Sequence, residues 1–189
     1  MRARRSLVLL TALLLTGTFA TAQRGAPPTP APPPPPLNLP PNPRLDALKQ
    51  ELIADIESRR VFTQQMVDSL FSFSELGFQE VETQRYVTNV LVKEGFDVER
   101  GVAGMPTSWV SRYGNGHPII ALGTDIDGLP TTNQTPGVVT RKELVPGAPG
   151  HGEGHNAGQA IVVTAALALK KIMDRDKLPG TIMLWPGVA

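Results

Sequence analysis

The sequence contains no cysteine. The chain therefore has no disulfide framework and no thiolate chemistry, so its fold has to be held by its core. An excess of one charge is also missing, since 18 Lys and Arg face 17 Asp and Glu. This near-balance gives no electrostatic reason to expect nucleic acid as a partner. The length of 189 residues suits one domain of ordinary size.

Long hydrophobic runs are scarce, and the longest stands at the N-terminus. Leu7–Leu15 is almost wholly apolar and follows three arginines among the first five residues. A bilayer span takes roughly 20 apolar residues, so the run is short for a membrane anchor. Ala20-Thr21-Ala22 forms a small-x-small pattern ahead of Gln23. We therefore predict that residues 1–22 are a cleaved signal peptide, that the protein is exported (periplasmic or secreted), and that no stable membrane span remains after cleavage.

Proline dominates the next segment. It fills much of Pro27–Pro43, including the unbroken run Pro32–Pro36. Such a segment favours an extended polyproline helix, which acts as a semi-rigid spacer. A docking peptide for an aromatic groove is the functional alternative. We predict a linker over residues 23–44 and a folded domain over 45–189.

Apolar spacing predicts two helical regions at the start of the folded part. The first starts at Leu45 and continues, or restarts, as far as Phe71, with Gly77 as its left-handed stop. The second runs over Glu80–Lys93 and ends at Gly95.

The rest of the folded part has the pattern of an α/β protein. The predicted elements are a short strand at Phe96–Val98, an edge or hairpin strand at Ser108–Tyr113, a buried strand at Pro118–Gly123, a helix at Ala157–Asp174 and a buried strand at Thr181–Trp185 stopped by Pro186. Strand, long loop, helix and strand make a βαβ unit, which predicts a mixed, partly parallel sheet with helices on both faces. Ligands of such sheets bind beyond the carboxyl ends of the strands, here Thr124–Pro130 and Val188 onward.

Two carboxylates follow the predicted strand that ends at Gly123. Asp125 and Asp127 are two positions apart, so in extended chain they point to the same side. Like charges that close repel unless a cation or a positive group lies between them. Asp and Gly before Pro130 also form loops for local reasons alone. The motif by itself does not decide between a site and a turn.

Two of the three histidines fall in a second motif, Gly150–Asn156. His151 and His155 flank Glu153, and imidazole and carboxylate are ordinary zinc ligands. The alternating glycines let the backbone bend around an ion, and Asn156 suits the N-cap of the next helix. A flexible loop with solvated histidines is the alternative. The position beside the strand end that carries the two aspartates favours a metal site.

The same loop has the glycine spacing of a dinucleotide-binding fingerprint, in Gly152, Gly154 and Ala157. That fingerprint needs a strand directly before it and an acidic residue at the end of the next strand. Val145–Pro149 is no strand, and no acid follows Trp185. The spacing is therefore a weak rival to the metal site.

Over Ile53–Ala189 the chain resembles the zinc amidohydrolase and metallopeptidase family of aminoacylases, hippurate hydrolases and glutamate carboxypeptidases. Its closest likeness is to the branch of aminobenzoyl-glutamate utilisation protein B. Four segments carry the resemblance in order: Glu75–Glu80 ("PELGFxE", with Ser74 in place of proline), Gly123–Pro130 (Asp-x-Asp-x-x-Pro), Gly150–Asn156 ("GHGCGHN") and Thr181–Ala189.

The resemblance implies part of a zinc-peptidase-like catalytic domain and a metal-dependent hydrolase of amide bonds in N-acyl amino acids or small, dipeptide-like substrates. It implies two divalent ions, Zn²⁺ or else Mn²⁺ or Co²⁺, with His155 as the main ligand and Glu153 and His151 as further candidates. Glu153 stands where the branch carries cysteine, and a carboxylate widens the choice toward ions that prefer oxygen. Asp127 would orient His155 or another metal-bound group.

The family's general base, the first of a glutamate pair, would follow Ala189, as would further histidine ligands and the lid domain. The resemblance thus predicts that these 189 residues are an N-terminal fragment that is inactive and holds metal weakly. A homodimer would form through the missing lid and dimerisation domain. A non-catalytic, exported metal-binding protein is the alternative, and the codons after Ala189 separate the two.

Overall fold

The computed structural model describes residues 40–188, and these form an α/β domain, as predicted. Its helices are α1 (Pro43–Ser58), α2 (Arg60–Phe73), α3 (Val81–Lys93) and α4 (His155–Asp176). Its strands are β1 (Asp97–Arg100), β2 (Trp109–Asn115), β3 (Ile119–Asp125) and β4 (Gly180–Gly187), with a 3-10 turn at Val102–Gly104. The predicted signal peptide and nearly all of the predicted linker lie outside the described residues.

The helix ends follow local chemistry more closely than the apolar pattern does. Asn42 caps α1 by accepting a hydrogen bond of 3.0 Å from the Leu45 N–H. The first predicted helix restarts, because Arg59 leaves helical geometry between α1 and α2. Gly77 is not the stop of α2. Ser74 takes the left-handed conformation there (φ 44°) and its N–H donates to the Leu70 carbonyl. Gly95 does follow α3 at φ 86°, as predicted.

The sheet is mixed, as predicted, with strand order β1-β2-β4-β3. β4 pairs parallel with β3 and antiparallel with β2. The prediction of an edge or hairpin strand at Ser108–Tyr113 is therefore wrong, because β2 lies between β1 and β4 and does not pair with β3. β2 is therefore internal, and β3 is an edge strand. Because one edge of β3 has no neighbouring strand among residues 40–188, Ile119 and Ile120 are about half exposed, and the prediction of a buried strand is wrong. β4 also continues through Pro186 rather than stopping there.

The core lies between the helices and one face of the sheet. Alternate residues of the strands point into it: Val98, Trp109, Tyr113, Leu122, Ile182 and Leu184. They meet Met66, Leu70, Val87, Leu91, Val163 and Leu167 from α2, α3 and α4. On the opposite face Trp185 is 44% exposed. Within residues 40–188 the helices therefore cover only one face of the sheet, whereas helices on both faces had been predicted. None of the described helices is both long and apolar enough to span a bilayer.

Candidate metal site

The site lies at the edge of the sheet where the parallel strands β3 and β4 end. Asp125 stands opposite Gly187, and the Ile126 N–H donates to the Gly187 carbonyl at 3.0 Å. A Cβ atom on Gly187 would lie 1.8 Å from Asp125 Oδ1. The glycine is therefore a steric requirement for the position of the Asp125 carboxylate.

The long loop between β3 and α4 brings the two predicted motifs together. Leu129 and Gly150 exchange two main-chain hydrogen bonds of 2.8 and 3.0 Å, which close the loop near its base. The Thr132 hydroxyl adds a bond of 2.8 Å to the Gly150 carbonyl. The chain after β3 and the chain before α4 are thereby fixed side by side, which explains how Asp127 meets His155 across 28 positions of sequence.

His155 stands among three carboxylates. Its Nδ1 atom lies 3.0 Å from the main-chain oxygen of Asp127 and 3.0 Å from Oδ1 of the same residue. Its Nε2 atom lies 3.0 Å from Glu153 Oε2 and 3.8 Å from Asp125 Oδ2. A proton on Nδ1 that donates to Asp127 leaves the Nε2 lone pair facing the other two carboxylates.

This donor set fits a divalent ion in its chemistry. Imidazole nitrogen and carboxylate oxygen bind zinc, and the oxygens also suit harder ions. Within residues 40–188, however, no group of three or more His, Cys, Asp or Glu side chains has the geometry to hold a metal. That His155 and Glu153 hold a metal therefore stays a prediction.

His151 is engaged with α2. Its Nε2 atom lies 3.1 Å from the Leu70 carbonyl, near the end of that helix. Its Nδ1 atom is buried without a hydrogen-bond partner. Burial lowers the pKa of His151, and Nε2 is the donor in the bond to Leu70 because a carbonyl oxygen only accepts. Its role as a metal ligand stays a prediction.

Asn156 does not cap α4. The N-cap is Gly154, in the left-handed conformation at φ 90°, and Asn156 lies in the first turn of the helix, which starts two residues before its predicted beginning. The Asn156 side-chain amide instead donates to the Val67 carbonyl of α2 at 3.3 Å. Together with the bond of His151 to Leu70, this contact docks the start of α4 and its preceding loop on α2.

Two glutamates of the Glu75–Glu80 motif matter to the site although the sequence pattern assigns them no role. Glu75 accepts hydrogen bonds of 2.9 Å from the Glu82 and Thr83 N–H groups and so caps α3. Its main-chain oxygen accepts from the Gly128 N–H, next to Asp127. An acid shortly before a predicted helix was the signal available for this cap.

Glu80 is fully buried, and within residues 40–188 no hydrogen bond of ordinary geometry reaches either carboxyl oxygen, although the Thr107 hydroxyl and two main-chain amides lie near it. Burial raises the pKa of the Glu80 carboxyl. The Thr107 hydroxyl and two main-chain amides oppose that shift in part, and the negative charge of Asp127 adds to it. Nothing in the sequence pattern distinguishes this glutamate from an exposed first-turn acid.

No family model matches the chain. Several curated proteins do. One of them, a component of the p-aminobenzoyl-glutamate hydrolase of Escherichia coli, is 31% identical over 134 residues, which are 70% of this chain and 28% of that protein. The IAA-amino acid hydrolase ILR1-like 5 of Arabidopsis thaliana is 35% identical over 58% of this chain and 24% of its own length. Thermostable carboxypeptidase 1 of Saccharolobus solfataricus is 30% identical over 72% of this chain and 34% of its own length.

Solved structures share the fold. A putative aminohydrolase from Staphylococcus aureus matches 74% of this chain and 35% of its own, with a TM-score of 0.61 and 23% identity. The YXEP protein of Bacillus subtilis, a dinuclear metal-binding peptidase from the M20 family, matches 69% of this chain and 36% of its own, with a TM-score of 0.55 and 27% identity. The chain thus spans about a quarter to a third of the relatives it matches.

Proposed function

We propose that the whole protein is a metal-dependent hydrolase of amide bonds. The folded segment is similar in sequence to hydrolases and carboxypeptidases that act on amides, and in fold to a dinuclear metal-binding peptidase of the M20 family. One observation carries the proposal. At the end of the sheet where β3 and β4 end, Nδ1 of His155 contacts Asp127 and Nε2 faces Glu153 and Asp125. Imidazole nitrogen and carboxylate oxygen are ordinary zinc ligands, so these side chains would form one side of a cation site.

The substrate class follows from what the relatives share. Their names describe hydrolysis of p-aminobenzoyl-glutamate, of an IAA-amino acid, and of a carboxyl-terminal residue. Each of these substrates joins an acyl group to an amino acid through an amide. We infer an N-acyl amino acid or a dipeptide-like molecule as the substrate of the whole protein.

The residues of this chain have distinct tasks in the proposal. Bound metal would polarise the substrate carbonyl and activate a water. His155 and Glu153 would hold the metal, and Asp127 would fix the ring of His155 and its tautomer. His151 would support the loop and only secondarily bind the ion. The resemblance implies a general base beyond Ala189. Such a base would have to lie within hydrogen-bond reach of the reacting water.

The metal is proposed to be zinc, with two ions in the whole enzyme, although Glu153 also suits Mn²⁺ or Co²⁺. Glu153→Cys and Glu153→Gln in the full open reading frame test this. We expect the cysteine variant to gain preference for Zn²⁺ over Mn²⁺, and the glutamine variant to lose affinity for both. Dissociation constants from competition with a chelator give the readout. Affinities of both ions that are the same in all three proteins would remove Glu153 from the ligand set.

The activity test compares the 189-residue chain with the full open reading frame, both loaded with zinc, on N-acyl amino acids. We expect turnover only from the longer protein and its loss in His155→Ala. Equal turnover by both would contradict the placement of the general base. Tight metal binding without turnover on any amide would favour the non-catalytic metal-binding alternative.

Export is proposed from the sequence of residues 1–22. Expression with the native N-terminus, fractionation and N-terminal sequencing of the product test it. We expect a mature chain that begins at Gln23 outside the cytoplasm. An uncleaved chain in the cytoplasm would contradict the proposal.

A further inference from the structure

The segment between the two motifs of the site is an ordered loop, which the proposed function has so far given no task. Its ends, at residues 133 and 148, are joined by a bond of 3.2 Å from the Asn133 N–H to the Ala148 carbonyl. Within it the Thr135 N–H donates to the Lys142 carbonyl at 2.7 Å. Compact loops whose ends are close together and which are held by their own contacts are frequently functional.

Asn133 joins the start of this loop to its returning half through both ends of its side-chain amide. The Oδ1 atom accepts hydrogen bonds from the N–H groups of Leu144 and Val145, at 3.0 and 2.8 Å. The Nδ2 atom donates to the Pro149 carbonyl at 3.2 Å. Two N–H donors require an acceptor and a carbonyl requires a donor, so only an amide side chain serves both sides here.

The bond to Pro149 acts directly on the entry to the second motif. The Pro149 carbonyl and the Gly150 N–H belong to one peptide unit, and peptide units are planar. The carbonyl end accepts from Asn133, and the N–H end donates to the Leu129 carbonyl at 3.0 Å. The unit is thus held at both ends, and it cannot rotate without breaking one of the two bonds.

Gly150 leaves the chain little room to adjust at this point. A Cβ atom there would lie 2.5 Å from the main-chain oxygen of Thr132 and 2.8 Å from the main-chain nitrogen of Asn133. The Thr132 hydroxyl also donates to the Gly150 carbonyl at 2.8 Å. Three residues later Glu153 Oε2 lies 3.0 Å from Nε2 of His155. The direction in which the chain passes Gly150 therefore bears on where the Glu153 carboxylate stands.

We propose that Asn133 is a positioning residue of the metal site. Its amide holds the Pro149–Gly150 peptide, and that peptide sets the course of the chain to Glu153, so that the Glu153 carboxylate meets Nε2 of His155. Asn133 itself touches neither metal nor substrate. The inference rests on the proposed function, in which Glu153 and His155 hold the metal.

Gln134 offers a matched control in the same loop. It is adjacent to Asn133, and both are half-buried. Its side chain also makes three bonds, to the carbonyls of Val138 and Thr140 at 3.1 and 2.9 Å and from the Lys142 N–H at 3.0 Å. These partners lie in the outer part of the loop, away from the peptide that leads to the site. Loss of the Gln134 amide should therefore loosen the loop without reaching the metal ligands.

Zinc affinity of the full open reading frame, measured by competition with a chelator, is the first readout. We expect Asn133→Ala to weaken Zn²⁺ binding by about tenfold and Gln134→Ala to stay within about twofold of the wild type. Asn133→Asp separates the two ends of the amide. It keeps an acceptor for Leu144 and Val145 but has no donor for Pro149, so it should bind zinc as weakly as Asn133→Ala.

Residue-resolved hydrogen exchange of the same proteins without metal is the second readout, and it needs neither zinc nor substrate. We expect faster exchange at residues 144–145 and at the Gly150 N–H in Asn133→Ala, and at Gly150 alone in Asn133→Asp. Gln134→Ala should speed exchange at Lys142 and leave Gly150 as in the wild type. Slow exchange of the α4 amides in each variant shows that it is folded.

The outcomes separate this inference from the proposed function. Zinc binding by Asn133→Asp or Asn133→Ala as tight as in the wild type would overturn the role of Asn133. An equal loss in Gln134→Ala would overturn it too, because the effect would then come from general loosening of the loop. If the alanine variant does not fold, the aspartate variant decides. Failure of the proposed function would instead appear as a wild-type protein that binds zinc and hydrolyses no N-acyl amino acid, with the effects of Asn133 on zinc affinity intact.

Discussion

Asp55 and Glu80 are both buried acids, and the molecule treats them in opposite ways. Asp55 of α1 lies 2.6 Å from Arg59 and 2.7 Å from Lys171 of α4, with its side chain 8% exposed. Burial would raise the pKa of Asp55, but the bonds to Lys171 and Arg59 outweigh it and hold the pKa below its ordinary value of 3.8. No lysine or arginine of residues 40–188 pairs with Glu80, and burial raises its pKa.

The difference separates a region whose buried charge is paired from one where, within residues 40–188, several buried polar atoms lack a partner. The ion pairs of Asp55 join α1 to α4 far from the end of the sheet, and they leave none of its charge unpaired. The strand-end edge instead retains unpartnered buried atoms on Glu80, Asp127 and His151. Buried polar groups without hydrogen-bond partners that cluster in one place are typical of functional sites.

The largest expected effect is at the site edge, from Gly187→Ala. Its Cβ would lie 1.8 Å from Asp125 Oδ1, so β4 or the carboxylate has to move. We expect a loss of up to about 3 kcal/mol in unfolding free energy, as for other overpacked positions, together with weaker metal binding. Chemical denaturation and metal competition measure the two effects.

Gly152→Ala is the control for stability, because its Cβ would meet nothing closer than 3.4 Å. It should unfold like the wild type. An alanine at 187 as stable as the control would show that Asp125 has room to move, and would remove the steric argument for Gly187.

The paired region is tested by Asp55→Asn. We expect a loss of about 2 kcal/mol in unfolding free energy at pH 7, between the values for exposed and fully buried pairs, because Lys171 remains 59% exposed. Because the pKa of Asp55 is lower in the folded state than in the unfolded state, its charge stabilises the fold at any pH above the unfolded-state pKa. That stabilisation is lost as the pH falls through the folded-state pKa. The difference between wild type and variant should therefore shrink below pH 3.8, the ordinary value for Asp.

Unfolding free energies measured between about pH 7 and pH 2.5 in the two proteins give the result. If the difference in unfolding free energy between the two proteins stays constant over this range, the charge of Asp55 contributes nothing to stability. The contrast between Asp55 and Glu80 would then not hold for Asp55.

Apolar periodicity predicted the helices and the βαβ unit well, because it records which side of an element is buried. It failed for strand order. An apolar run such as Ile119–Leu122 predicts burial, yet β3 is an edge strand and Ile119 and Ile120 are half exposed. Burial of a strand depends on its neighbours in the sheet, and pairing of β4 between β2 and β3 is non-local information.

The sequence predicted which side chains come together at the strand ends, but not which contacts support them. His155, Glu153 and Asp127 stood out by residue type and spacing, and the structure brings them together. Asn156 was assigned to the helix cap by local preference, but its amide has a long-range partner in Val67. Glu80 was missed because its burial depends on strands and loops that pack over it from elsewhere in the chain.

A variant of His151 tests whether this side chain supports the loop or binds the metal. We expect His151→Gln to lose about 1 kcal/mol of unfolding free energy through the bond to the Leu70 carbonyl, and to bind zinc nearly as the wild type does. His155→Gln is the comparison and should lose zinc binding. If both variants lose zinc equally, His151 is a ligand after all, and its contact with Leu70 is secondary.

The smallest expected effect comes from an ion pair between the end of α1 and the start of α2, close to Asp55 in sequence. Glu57 and Arg60 are 2.7 Å apart, but their side chains are 61% and 79% exposed. Water screens both charges, and holding two long side chains in one geometry costs entropy, so Glu57→Gln should lose less than about 0.5 kcal/mol. Added salt should change this value little, because there is little left to screen. A loss for Glu57→Gln as large as that for Asp55→Asn would show that charge in α1, and not its burial and pairing, stabilises this end of the domain.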